Sequence, residues 1–270
     1  MLLPLYYRFY NDFLRNSRIS DFRAFLQSVI DHGYTIVSAS TAASMRLASN
    51  RISDKMLVLR TDVDTDPRTA RSLWQITKQF NVNCSFYFRL STIDFSLMKE
   101  MVASGDEVGY HYEELSTLGK CIGVRNGSEL RQLVPKAQIA FANNISKLRS
   151  TSGLSLTTAA AHGDWLNRRL GVSNAEILKD RSFRDKLTIT FEAYDPLPFG
   201  TFLRYIDQGA PTFWLPSDPL TACRAGASPI YVTVHPRQWH TRVLVNLLEN
   251  LSRANEEIQY RLRALRTISS

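Results

Sequence analysis

Apolar side chains recur along this chain with two alternating periods, one suited to helices and one to strands. Phe22, Phe25, Leu26 and Val29 follow Ser20 and Asp21 at helical spacing and stop at Gly33, which predicts a short capped helix outside the main sheet. KMLVLRTDVD (55–64) reads as a strand, and Asp66-Pro67 supplies an N-cap and a first-position proline for the next helix. That helix, 67–80, buries Ala70, Leu73, Trp74 and Thr77. NCSFYFRL (83–90) is a second, aromatic strand. A helix over 95–104 ends at Gly105, and EVGYHYE (107–113) is a third strand. Leu130, Leu133, Val134, Ala137, Phe141, Ile145 and Leu148 place one apolar stripe on a long helix before a fourth strand, LTTAAAHG (156–163).

Strand after helix, repeated four times, predicts parallel β/α construction with the sheet in the middle. Beyond Gly163, ITFEAYD (189–195), LRYID (203–207) and IYVTVHP (230–236) are further strand candidates between proline-rich loops. The last segment, 240–266, carries Leu244, Leu248, Leu251, Ile258, Leu262 and Leu265 on one face, with Arg253, Arg261 and Arg263 elsewhere. It reads as a long amphipathic helix that packs to close the fold. With no repeat and no low-complexity tract, one domain over 1–270 is expected. It has a core at about 55–240, an N-terminal extension over 1–54 and the closing helix.

Composition narrows the class. At 270 residues, 44% hydrophobic and 21% charged, the chain can bury a sizeable core, and disorder is excluded. No apolar run approaches a membrane span, and Arg8, Asp12 and Arg15 interrupt any signal-peptide core, so a cytoplasmic address is expected. Cys84, Cys121 and Cys223 are odd in number, widely spaced and without a CxxC, which argues against a disulfide frame or a thiolate zinc site and suits a reducing compartment. The formal charge of +8 favours anionic partners. With no Lys/Arg run, a specific nucleic-acid partner is not expected.

Chemistry collects at strand ends. Asp62 and Asp64 end the first strand, and His111, His162 and His235 end three others. In parallel β/α folds the carboxyl ends of the strands share one mouth. Period-two geometry puts Arg60, Asp62 and Asp64 on one face, and Gly109, His111 and Glu113 on another. Two carboxylates side by side need a counter-ion, which a divalent cation or Arg60 supplies. Imidazole with carboxylate is zinc-type ligand chemistry, whereas Asp66 is accounted for as a helix cap. His32 and His240 are expected to face solvent.

The order TDVD, FYFRL, EVGYHYE, HG and VTVHPRQW resembles the polysaccharide deacetylase family (NodB homology, carbohydrate esterase family four), over about 55–240. The resemblance implies a distorted, incomplete (β/α)7 barrel holding one divalent metal and removing an acetyl group from a sugar. It assigns Asp62 as general base, Asp64 and His111 as metal ligands and His235 as general acid. The family's adjacent aspartates here alternate, and Leu115 stands in place of its second metal histidine. His162 is the preferred third ligand, with Glu113 and Glu114 as alternatives.

The implied reaction is metal-assisted hydrolysis of an acetamide, zinc being the expected ion. Arg60, Arg89 and Glu113 are expected to contact substrate, and Trp165 and Trp239 to stack on a sugar ring or pack in the core. The expected substrate is an acetylated, anionic sugar, nucleotide- or lipid-linked, in surface polysaccharide assembly. Leu115 supports a rival from another class, a catalytically silent saccharide-binding protein.

Overall fold

The 3.6-residue and two-residue periods become helices and strands close to their expected bounds in a computed structural model that describes residues 2–49 and 55–266. The parts of the N-terminal extension at 1 and 50–54, and the tail at 267–270, lie outside the described residues. The described chain forms two compact units, Met1–Gly109 with Asp195–Leu247, and Tyr110–Tyr194 with Leu248–Ser270.

The first unit contains β1 (Thr35–Val37), β2 (Met56–Val63) and β3 (Ser85–Phe88), and the chain leaves it along β4 (Glu107–Tyr112). β2 is buried at every position, as a parallel strand covered on both faces must be. It pairs in parallel with β3 and β1 on one side and with β9 (Ile230–Val234) on the other. β9 pairs in parallel with β7 (Leu203–Asp207), which meets the short β8 (Trp214–Leu215) in antiparallel fashion. The helix Pro67–Gln79 starts at Asp66, whose carboxylate accepts from Arg68 N–H as expected of its cap. Its buried residues include Ala70, Leu73, Trp74 and Thr77. The helix Ile19–Asp31 buries Phe22, Phe25, Leu26 and Val29, but Arg18 rather than Ser20 precedes it and no side chain caps it.

In the second unit β4 pairs in parallel with β5 (Thr158–Ala161), and β5 with β6 (Phe191–Glu192). The stripe from Leu130 to Leu148 is divided between helices Gly127–Gln132 and Val134–Ser152, with Pro135 in the first turn of the second. ITFEAYD contributes only two residues of strand. The α/β construction, the mixed sheet strands and the long C-terminal helix, Val243–Arg266, are present. That helix departs from expectation in its facing: Leu244, Leu248, Leu251, Ile258, Leu262 and Leu265 are exposed by 49% to 75%. Among the described residues no helix is long and apolar enough to cross a membrane.

Candidate functional site

Strand register assembles an acid–base cluster in the first unit. Thr61 is aligned with Val234 and Ile206 with Thr233, so Asp62 falls level with His235, and Asp207 one residue before them, near the ends of three adjacent strands. Arg60 and Asp62, two apart on one face of β2, form a bidentate pair, Nε to Oδ1 and Nη2 to Oδ2, both 2.6 Å. Arg60 is 0% exposed, so it holds the carboxylate and cannot meet substrate, which corrects its expected substrate contact. A buried ion pair compensates its own desolvation only when geometry is good, and this fork is the favourable case.

His235 Nδ1 lies 2.6 Å from Asp207 Oδ1, and its backbone N–H donates to Asp207 Oδ2 at 2.8 Å. Trp239 Nε1 donates to the same oxygen at 2.7 Å. On its other edge, His235 Nε2 is 4.0 Å from Asp62 Oδ2 and 3.9 Å from Asp64 Oδ2. Burial alone would lower the His235 pKa, but Asp207, then Asp64 and Asp62, outweigh it and raise it to about 9. His235 is therefore protonated at neutral pH, with Nε2–H turned toward two carboxylates. Burial pushes the Asp207 carboxyl up, opposed by its donors from His235 and Trp239. Arg89 donates to the Asp64 backbone carbonyl at 3.1 Å, which steadies the turn carrying that carboxylate.

A different cluster forms in the second unit. His111 is aligned with Ala160 and Tyr112 with Ala161, so His162 follows one step beyond β5 beside Glu113. His111 Nδ1 lies 2.8 Å from the Ala160 carbonyl, and His162 Nδ1 lies 2.8 Å from Glu113 Oε2. Both partners accept, so each Nδ1 carries a proton, and in the neutral ring that tautomer puts the lone pair on Nε2. The rings are 5.2 Å apart, edge to face, with ligand atoms within 4.8 Å of each other. Two imidazoles with oriented tautomers, one on a carboxylate, match the way proteins orient histidines toward a divalent metal. The donor chemistry here fits such an ion.

Glu113 holds His162, so the structure gives it an orienting position. Glu114 is excluded as a ligand: it is buried against Tyr110 Oη at 2.6 Å and Asn144 at 2.9 Å, and burial raises its pKa. Glu113, His162 and Asp164 also lie close enough to share an ion, but Asp164 is already committed to capping the helix Trp165–Leu170 and to Lys120 Nζ at 2.8 Å. Leu115 is fully buried.

The two tryptophans differ in burial. Trp239 is 2% exposed among Phe22, Phe213 and Trp214, and Trp165 packs edge to face on Tyr260 at 5.2 Å. Burial of Trp239 corrects its expected stacking on a sugar, whereas Trp165 is half-buried. His32 and His240 are half-buried rather than solvent-facing. Asp207 is the functional group that pattern reading passed over. Its signal was present, because it ends LRYID as an acidic residue just as Asp62 lies near the end of β2.

No protein-family model and no curated protein matches the chain. Among solved structures, it is similar to the Streptococcus pyogenes deacetylase PplD in complex with acetate, at 16% identity and TM-score 0.41. That match covers 62% of this chain and 68% of that one. It is similar to a mutant of BA3943, a CE4 family pseudoenzyme with restored enzymatic activity, at 14% identity and TM-score 0.37, covering 74% and 63% of the two chains. A third is the Xyl-CE4 domain of a multidomain xylanase from the hindgut metagenome of Trinervitermes trinervoides, at 11% identity and TM-score 0.32, covering 73% and 83%. With every TM-score below 0.5, none of the three decides a residue's role here.

Proposed function

We propose that the chain is a divergent polysaccharide deacetylase, a hydrolase that removes an acetyl group, N-acetyl by preference, from a sugar. In this reading residues 1–270 make a single domain of the incomplete (β/α)7 barrel type. The observation that carries the proposal is the geometry of His235, an imidazole anchored by Asp207 at 2.6 Å, with Asp62 and Asp64 carboxylates 4.0 and 3.9 Å from its Nε2. A base and an acid side by side at neutral pH are what acetamide hydrolysis requires.

His111 and His162, with Asp64 as third holder, are the residues proposed for a divalent ion, zinc by donor type. The oriented tautomers support the two histidines, and the motif order of the family resemblance supports Asp64. Such an ion supplies Lewis-acid polarisation of the acetyl carbonyl. Asp62 accepts a proton from the attacking water, its carboxylate held in place by the Arg60 fork. His235 gives its Nε2 proton to the departing amine as the C–N bond breaks, and Asp207 keeps the ring in position. Water is thereby added across the amide, giving acetate and a free amine.

The proposed substrate is an acetylated precursor of a surface polysaccharide, nucleotide- or lipid-linked, and the net charge of +8 supports an anionic carrier. Three free thiols support action in a reducing compartment, the cytoplasm. Leu115 favours the second reading, a silent saccharide binder.

Metal analysis and acetate release on one preparation separate the two. Near-stoichiometric metal, lost in His111→Ala and His162→Ala, with acetate released from N-acetylated nucleotide sugars, is expected of the enzyme. A metal-free protein that binds those sugars without releasing acetate would overturn it in favour of the binder.

A further inference from the structure

Six aliphatic residues and one asparagine of the C-terminal helix follow a heptad, with Val243 and Leu247 exposed outside it at the helix start. From Leu244 the spacings run four, three, four, three, four, three through Leu248, Leu251, Asn255, Ile258, Leu262 and Leu265. With Leu248, Asn255 and Leu262 at position a, Leu244, Leu251, Ile258 and Leu265 fall at d. In an ordinary amphipathic helix this face would be the buried one. Here the six aliphatic residues are each exposed by 49% to 75%, and Asn255 is exposed among them.

The face that a coiled coil leaves to solvent is the one this helix packs onto its own chain. Tyr260, at position f, is 2% exposed, and its Oη donates to the Val124 carbonyl at 2.7 Å. Glu256, at b, takes Lys120 Nζ at 2.9 Å. Arg263 and Ala264, at b and c, press so closely on Gly123 that a Cβ there would lie 2.7 Å from the Ala264 nitrogen. Asn246, again at f, is 2% exposed. The a/d seam is thus turned outward along a 24-residue helix, long enough for three heptads.

We propose that this seam joins a second copy of the chain in a parallel two-stranded coiled coil. Three features select that occupant. First, the six aliphatic residues, each exposed by 49% to 75%, form one continuous apolar seam along the helix, which pairing with an identical seam takes out of water. Second, a single asparagine at a is the residue that sets register and limits the assembly to two strands; parallel self-pairing puts Asn255 against its own copy, whereas antiparallel pairing puts it against leucine. Third, a lipid surface would have to take Asn255 into its apolar layer, and the helix's polar positions carry Glu249, Glu256 and Glu257 beside the arginines.

Sedimentation velocity on the full chain across micromolar concentrations tests the proposal. The wild type is expected to be a dimer. Leu251→Glu with Ile258→Glu should be a monomer, weakened by at least about a hundredfold, with unchanged circular dichroism because both positions are exposed. A monomeric wild type, or a dimer that survives the double variant, overturns it. Orientation is read in a Cys121→Ser background, where Asn255→Cys should cross-link chain to chain with copper phenanthroline. Cross-linking only when Asn255→Cys is mixed with Leu251→Cys would overturn the parallel arrangement. A monomer that binds phosphatidylglycerol vesicles and loses them in the double variant would overturn the dimer in favour of a membrane.

Discussion

The polar clusters of the two units are built on different electrostatic plans. In the first unit charges are buried and compensated: Arg60 against Asp62, and a protonated His235 against Asp207 with two more carboxylates on its far edge. In the second unit His111 and His162 are turned by acceptors on Nδ1, one a backbone carbonyl and one Glu113, so that each Nε2 presents a lone pair. The first plan stores a proton where it can be given, and the second offers electron pairs where a cation can be taken. Parallel register produces the carboxylate–histidine pair of each, since Asp207 and His235 follow the last aligned residues of β7 and β9, and Glu113 and His162 those of β4 and β5. Variants that separate proton handling from metal holding test whether the plans are distinct.

The largest effect should come from Asp62→Ala. Arg60 is 0% exposed and would keep its charge without its carboxylate, so the variant should lose about 3–5 kcal/mol in urea unfolding, along with all activity. A loss below about 1 kcal/mol would mean that the pair is solvated and the compensated-charge description is wrong. His235→Gln should keep its metal content and lose about 10²- to 10⁴-fold in acetate release, the range for removing a general acid. Loss of metal in that variant would merge the two plans into one.

The raised His235 pKa also makes stability depend on pH. The folded value of about 9 stands above the ordinary value of 6.5, so the folded state binds the proton more tightly than the unfolded chain. This stabilisation is complete below about pH 6.5 and is lost as pH rises through about 9. The loss should amount to about 3 kcal/mol across that window in wild type minus His235→Gln. A difference that stays flat from pH 6 to pH 10 would place His235 near its ordinary value. In the second unit, Glu113→Gln keeps a hydrogen bond to His162 but removes the charge, and it should weaken metal affinity by about 10- to 100-fold. Unchanged affinity measured against a chelator would remove Glu113 from its orienting role.

The elements legible in the sequence are those where period and polar ends coincide. β2, β4 and β9 were readable because alternating apolar runs stop at TDVD, HYE and HP, and LRYID matched β7 residue for residue. Thr35–Val37 is too short for alternation to register. Asp207 went unassigned because its partnership depends on β7 pairing with β9, which no single strand encodes. Glu113 could be placed on the face of His111, but only the β4–β5 register shows that it holds His162. Periodicity identified which residues of the last helix share a face, but the inward direction expected of an apolar face is reversed. The fixed point was Tyr260, a polar-tipped ring on the opposite side that finds its partner at Val124.

The smallest and most discriminating contrast pairs the two tryptophans. Trp239→Phe keeps an aromatic ring among Phe22, Phe213 and Trp214 but removes the Nε1 donor from the buried Asp207. That carboxylate loses one of its hydrogen bonds, which should cost about 1–2 kcal/mol together with the smaller ring's lost packing. Trp165→Phe keeps the edge contact with Tyr260, and its buried Nε1 has no hydrogen-bond partner among the described residues, so no bond is broken. Relief of that buried donor offsets part of the lost packing, and the variant should stay within about 0.5–1 kcal/mol of wild type. KM for an acetylated sugar should be unchanged in Trp165→Phe, since the ring is engaged in packing. A rise in KM without a change in thermal midpoint would restore Trp165 to the sugar.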